Sequence, residues 1–554
     1  MEELLIQETG ELFRAVQTSG IFEDSKTFVD AIPKDEPEAI LKSFLAKRDQ
    51  PEFDLLEFIK HHFYLPDPVP IAERRHPTMQ RYIEASWDTL TMDMTEGGGL
   101  STLLLAGYPH LVPGDRFREP YYWDSAFMFE CLLTFERHEK RAMQILYNME
   151  ELLRVFGHIP NGFRTYYLTR SQPPMLTRMS RAYRKHVEKS KHRDDNGCRR
   201  IQSELKDAIA DRIIDPIAKR PSDDTLFRRM LESEYSYWMR GESICGQKVA
   251  REHVVMYGNH VLNRYWDASS DKPRPESYAE DAHTAREIGV SDPKHLFRNL
   301  RAAAESGWDF SSRWLGDRQT LSTIRTTKII PVDLNALLYS AERELSILLA
   351  DEGQTEAAER YEEMAEQRRE AVNDLCWNEQ TGFFYDFDWE KEEQTPVESL
   401  AAVFPLMCEM ASDHQAESIR KRIERDFLKE GGLVATLTEG TGQQWDYPNA
   451  WAPLQFAAVQ GLRTYARQTE YSDPFFRLAF QIAARFHKCA REYFDQTGYM
   501  MEKYNAVSPE LVGAGGEYKP QTGFGWTNAI VMYFQRFLED HTPELYNRTT
   551  AHHR

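Results

Sequence analysis

Residues 440–455 read GTGQQWDYPNAWAPLQ, and residues 113–124 read PGDRFREPYYWD. Both stretches mix turn formers with amides, carboxylates and indoles. That mixture suits a carbohydrate: Trp445 or Trp451 offers a face to the CH side of a sugar ring, and Gln443, Gln444 and Asp446 offer partners for its hydroxyls. The same residues would also suit a buried loop whose tryptophans belong to the core. Hydrolysing a glycosidic bond typically needs two carboxyl groups, one to protonate the leaving oxygen and one to attack the sugar or activate water. With 88 Asp and Glu residues in the chain, local context has to narrow the field. Asp309 follows a helix that reads Asp292 as N-cap, Pro293 in the first turn, Leu296, Leu300 and Ala304 on one face, and Gly307 just past the end. The helix C-terminus, with Trp308 and Phe310 alongside, favours the protonated acid, and Arg313 would oppose it if its side chain reached the carboxylate. Glu502 follows the turn sequence Asp-Gln-Thr-Gly; if residues 499–504 are extended, it shares a face with Met500 and Tyr504 while Lys503 points the other way.

Taken together, these stretches resemble the trehalase family, glycoside hydrolases that cleave trehalose into two glucoses. Further motifs follow in order: HIPNG with RSQPP, NRYWD with PRPES, SGWDFSSRW, MEKYN, and GAGGEY with GFGWTN. The resemblance runs over nearly the whole chain. It implies an inverting mechanism with Asp309 as the catalytic acid and Glu502 as the base that activates water. It also implies a substrate shell of Arg116, Trp123, Asp124, Asn161, Arg170, Ser171, Gln172, Arg274, Pro275, Glu276, the Gly307 backbone, Trp445 and Glu517. Asp115 stands where the family's PGGRF has its second Gly, Ala126 and Phe127 stand where Tyr-Phe is usual, and Ala450 replaces the Gly of PNGWAP. None of these touches the carboxylates, so affinity and turnover are in question more than identity. Other readings are a glycosidase for another small α-glucoside and a non-catalytic sugar-binding protein.

Helical periodicity dominates the chain. Residues 337–350 pair with 357–375, 400–410 with 415–427, and 452–467 with 475–494; strand-like pieces at 382–389 and 499–504 lie between. Helix pairs in series can close into a ring whose loops converge at one end. The periodicity shows pairs but not closure; the resemblance supplies an all-α (α/α)6 barrel with short β pieces in its active-site loops. The expected layout is an N-terminal helical extension over 1–66, a catalytic domain over 67–545 with an apparent insertion at 177–227, and a tail at 546–554. The insertion opens on a basic run from Arg178 to Arg200, read as solvated. A stripe of Ile201, Leu205, Ile209 and Ile213 follows, expected to dock on the barrel exterior or on a second subunit.

The net charge of −20 argues against a nucleic-acid surface, and no apolar run approaches the roughly 20 residues of a membrane span. No phosphate loop, zinc cluster or dinucleotide fingerprint appears, so neither cofactor nor metal is expected. The N-terminal stretch MEELLIQETGELF is acidic and amphipathic, and the six cysteines are scattered, which together read as a cytoplasmic protein with reduced thiols.

Overall fold

Helices that are apolar on all sides must lie inside, and those with one apolar stripe outside. Ala452–Tyr465 buries an unbroken run from Ala452 to Val459, whereas Thr355–Cys376 buries mainly one face, at Ala358, Ala365, Arg368, Ala371, Val372 and Cys376. The computed structural model describes residues 6–66, 76–95, 100–191, 223–243, 246–269, 272–289, 292–467 and 471–541, without the side chains of Ser190, Lys191 and Asp223. Six segments form an inner ring: Tyr122–Leu132, Leu176–Lys191, Val332–Asp351, the turn Leu400–Val403 running on into Phe404–Met407, Ala452–Tyr465 and Gly525–Asp540. Each packs on the next, and the last packs on the first. An outer layer of Met79–Thr89, Glu139–Phe156, Asp223–Trp238, Thr355–Cys376, Asp413–Arg422 and Pro474–Thr497 covers them. This is the (α/α)6 barrel.

The strands are short and lie in the connections. Asn449–Trp451 pairs antiparallel with Lys503–Asn505, placing Ala450 opposite Tyr504 and Trp451 opposite Lys503. The longest sheet joins Lys248–Arg251, Val254–Tyr257 and His260–Asn263, which the helical reading of the sequence did not anticipate.

The N-terminal residues form a layer of their own. Asp54 caps Leu55–His62 by accepting from the Glu57 N–H at 3.0 Å. Leu12, Phe13, Phe28, Ile40, Phe44 and Ile59 make a second apolar cluster that also takes in Tyr121, Tyr166 and Tyr167 of the barrel. Buried Lys26 binds Asp30 at 2.5 Å and Glu119 at 2.8 Å, fixing this layer to the loop ahead of Tyr122–Leu132.

The solvated reading of the basic run is corrected over its described part. Residues 177–189 lie within the inner-ring helix Leu176–Lys191, where Arg178 pairs with Glu130, Arg181 with Glu344, and Arg184 with Glu344 and Asp351. These arginines face carboxylates of neighbouring helices because the helix is built into the barrel wall. The rest of the run, the stripe of Ile201, Leu205, Ile209 and Ile213 that carried the self-association expectation, and the tail at 546–554 lie outside the described residues.

Candidate active site

The loops ahead of the inner helices converge on a pocket that mixes aromatic, charged and amide side chains, the lining expected of a small polar ligand's site. Its apolar wall holds Trp123, Trp445, Trp451, Trp526, Phe117 and Phe524. Trp445 and Trp451 stack at 4.0 Å with planes 3° apart, and Trp308 lies tilted against Trp445 at 5.2 Å. Arg116, Arg170 and Arg274 also line the pocket, each already held by carboxylates. Arg116 forks onto Asp24 of the N-terminal layer with two bonds of 2.7 Å. Arg170 donates to Glu276 at 2.6 Å and to Asp267 at 3.3 Å. Arg274 donates to Asp281 at 2.6 Å and to Glu517 at 2.8 Å. Paired this way, the guanidiniums are fixed in place while bringing little net charge to the pocket.

The helix Lys294–Ser306 organises one side. Near its end, buried Glu305 accepts from the Ser171 N–H at 3.0 Å, the Trp266 N–H at 2.7 Å and the Tyr237 hydroxyl at 2.7 Å, fixing the RSQPP loop. Gly307 ends the helix at φ 73°, and a Cβ there would lie 2.6 Å from the Trp123 ring, so this close approach needs glycine. The turn delivers Asp309, half-buried in the pocket wall, its peptide bond to Phe310 cis. Burial pushes the Asp309 carboxyl up to about 6 and nearby Glu276 adds to the rise, against the opposing pull of Arg274 and Arg170. Such a group can hold a proton for donation in mildly acidic to near-neutral solution. Arg313 does not reach it. It is bound to Asp333 at 2.8 and 2.9 Å and to Asp386 at 2.9 Å.

Glu502 lies fully buried beside the pocket. The expectation that Lys503 points away from it is wrong: the Lys503 ammonium donates to Glu502 Oε1 at 2.5 Å and to Gln444 Oε1 at 2.9 Å. The strand is Lys503–Asn505, so strict alternation does not govern Glu502. A long side chain can also turn back toward a carboxylate. Burial raises the Glu502 carboxyl above its ordinary value, and Lys503 and Arg116 oppose that rise. Asp124 is pushed well up by burial and by the charges of Asp309 and Glu502, which favours its neutral, donating form.

Of the residues singled out from the sequence, Arg116, Trp123, Asp124, Asn161, Arg170, Gln172, Arg274, Glu276, Gly307, Asp309, Trp445 and Glu517 line the pocket. Ser171, Pro275 and Glu502 are not among its lining residues. The Ser171 hydroxyl is spent on the Ile159 carbonyl, and the Pro275 carbonyl accepts from Gln17 of the N-terminal layer. Asp446 is no hydroxyl partner for a sugar either: fully buried, it accepts from Ser311, Ser312, Thr436 and Thr441 and ties the loops together. Asp115 has φ 52°, in the region expected of the glycine it replaces. Tyr518 and Trp526 line the pocket without having been singled out, although both sit inside quoted motifs, GAGGEY and GFGWTN.

Residues 20–539 match the family model described as trehalase. A periplasmic trehalase of Pseudomonas aeruginosa is 39% identical over 530 residues, covering 95% of this chain and 89% of that protein. A periplasmic trehalase of Xanthomonas axonopodis pv. citri is 38% identical over 525 residues, covering 94% and 84%. Among solved structures, a neutral trehalase of Saccharomyces cerevisiae shares the fold at TM-score 0.58 and 22% identity, covering 92% of this chain and 86% of that one. The periplasmic names of the curated relatives overturn the cytoplasmic placement expected from the sequence. Scattered cysteines were a poor guide to compartment: Cys131, Cys376, Cys408 and Cys489 are buried and unpaired, and such thiols persist wherever no second thiol comes near.

Proposed function

The chain belongs to the trehalase family, and from that premise we propose that its pocket hydrolyses α,α-trehalose to two glucose molecules by inversion. The observation that carries this reading is the convergence of Asp309, three carboxylate-held arginines and a tryptophan wall on one cavity, with Glu502 buried beside it. Asp309 gives its proton to the glycosidic oxygen as the bond to the anomeric carbon breaks. Glu502 takes a proton from a water whose oxygen bonds that carbon from the opposite face. Arg116, Arg170 and Arg274, with Asn161, Gln172, Glu276, Glu517 and the Gly307 backbone, hold the hydroxyls, while Trp123 and Trp445 meet the apolar faces of the rings. Asp124 in its neutral form adds a donor.

Glucose release from trehalose, with maltose and sucrose alongside, tests the substrate. NMR of the first products tests the stereochemistry. Inversion gives one β-glucose and one α-glucose per trehalose; α-glucose from both halves would overturn it.

A further inference from the structure

Three polar contacts, two of them buried, run in series from Glu502 to the pocket wall. Glu502 Oε1 accepts from the Lys503 ammonium at 2.5 Å, Gln444 Oε1 accepts from the same ammonium at 2.9 Å, and the Gln444 amide donates to the Asp309 carbonyl at 2.5 Å. The Glu502 and Lys503 side chains are both 0% exposed, so the pair works without water around it. The glycine-rich stretch of GAGGEY closes over this chain. A Cβ on Gly513 would lie 2.7 Å from the Lys503 stem, and one on Gly516 would lie 2.9 Å from the Gln444 amide. These glycines therefore make room for Lys503 and Gln444.

We propose that Lys503 and Gln444 act as a yoke between the two carboxyl-bearing segments, with Lys503 the positioning residue that aims the base. This rests on the reading of Glu502 as the base. The ammonium occupies Oε1. The other oxygen, Oε2, meets the Tyr518 hydroxyl at 3.5 Å, and Tyr518 lines the pocket, so Oε2 is the oxygen left for water. Gln444 then fixes where that oxygen stands relative to the Asp309 backbone. Trp445 adds a second tie to the same segment, its N–H donating to the Phe310 carbonyl at 3.0 Å.

Lys503 also favours the ionised base. The other charged and titratable groups around Glu502 are Arg116 from the loop ahead of Tyr122–Leu132, Asp124 from that helix, and Tyr518 from the glycine-rich loop. Arg116 helps Glu502 ionise but is already paired with Asp24, and Asp124 does not help. Lys503 is the cation in direct contact. When Glu502 has taken the proton of the attacking water, the adjacent ammonium favours its return to solvent, which resets the base.

The test is the pH profile of kcat/KM on trehalose for wild type, Lys503→Met, Lys503→Arg, Gln444→Met and Glu502→Gln. In Lys503→Met the ascending limb moves about one unit toward higher pH, kcat falls at least about tenfold, and KM stays within about threefold. Lys503→Arg restores the limb and part of kcat. Gln444→Met leaves the limb in place and lowers kcat. A folded Lys503→Met with an unmoved limb overturns the inference. If that variant does not fold, a Gln444→Met enzyme with wild-type kcat overturns it instead, and a lowered kcat there with an unmoved limb upholds it. Glu502→Gln separates the two levels, because near-wild-type turnover in it sinks the base assignment itself.

Discussion

Asp309 and Glu502 flank the same chemistry in different settings. Asp309 is half-buried at the end of a helix, its side chain free of any direct ion pair among the described residues, with Arg274 and Arg170 nearby but already held by other carboxylates. Glu502 is fully buried with an ammonium directly on one oxygen. The first setting disfavours charge and the second tolerates it. Burial raises both carboxyls, and Glu502 has a cation in contact that works against that rise. The contrast also shows which neighbours matter. Arg313 is four residues from Asp309 in sequence yet is withdrawn by Asp333 and Asp386, while Lys503 is recruited although alternation would turn it away.

The hardest break of this contrast is to neutralise either carboxyl. Asp309→Asn and Glu502→Gln should each lower kcat on trehalose by about 10²–10⁴-fold, measured by glucose release. Their stabilities should diverge. Glu502→Gln leaves a buried ammonium short of its anionic partner and should cost about 1–3 kcal/mol in denaturant unfolding, whereas Asp309→Asn should cost little. Equal losses in both would remove the distinction between the two settings.

Titration sharpens it next. Asp309 must be protonated to act, so kcat/KM should fall as pH rises through about 6, about tenfold for each further unit. A profile flat from pH 6 to 8 would contradict the acid assignment. Gly307→Ala would displace the turn that presents Asp309, through positive φ and the Trp123 ring, and should cost about 1–3 kcal/mol of stability together with kcat. The smallest effect belongs to Tyr518→Phe. A hydroxyl 3.5 Å from Glu502 makes a weak hydrogen bond at best, so kcat should change by less than about fivefold.

Much of this architecture was legible from residue patterns because it is local. The pairs Val332–Asp351 with Thr355–Cys376 and Ala452–Tyr465 with Pro474–Thr497 follow from apolar spacing, and Asp309 was placed correctly past a helix end by Gly307. What periodicity could not carry was the partner of each polar side chain. Asp446 reads like a sugar ligand until four hydroxyl-bearing residues surround it. Asp24 lies in a helical N-terminal layer that gives no hint of chemistry, yet it forks onto Arg116 in the pocket from 92 residues away. Such pairings are set by ring closure, and closure is a property of the whole chain.

That closure bears on when the protein becomes competent during its own synthesis. Asn528 on the last inner helix donates to Ser86 on the first outer one, 442 residues earlier, and Trp526 on the same helix completes the pocket wall. Contacts this far apart carry the largest loop-closure cost and form late. A nascent chain that has not yet produced Gly525–Asp540 has most of its helices but an open ring and an unfinished pocket. Glucose release then marks closure of the ring, and a protein clipped within that helix would be inert however intact its acid and base.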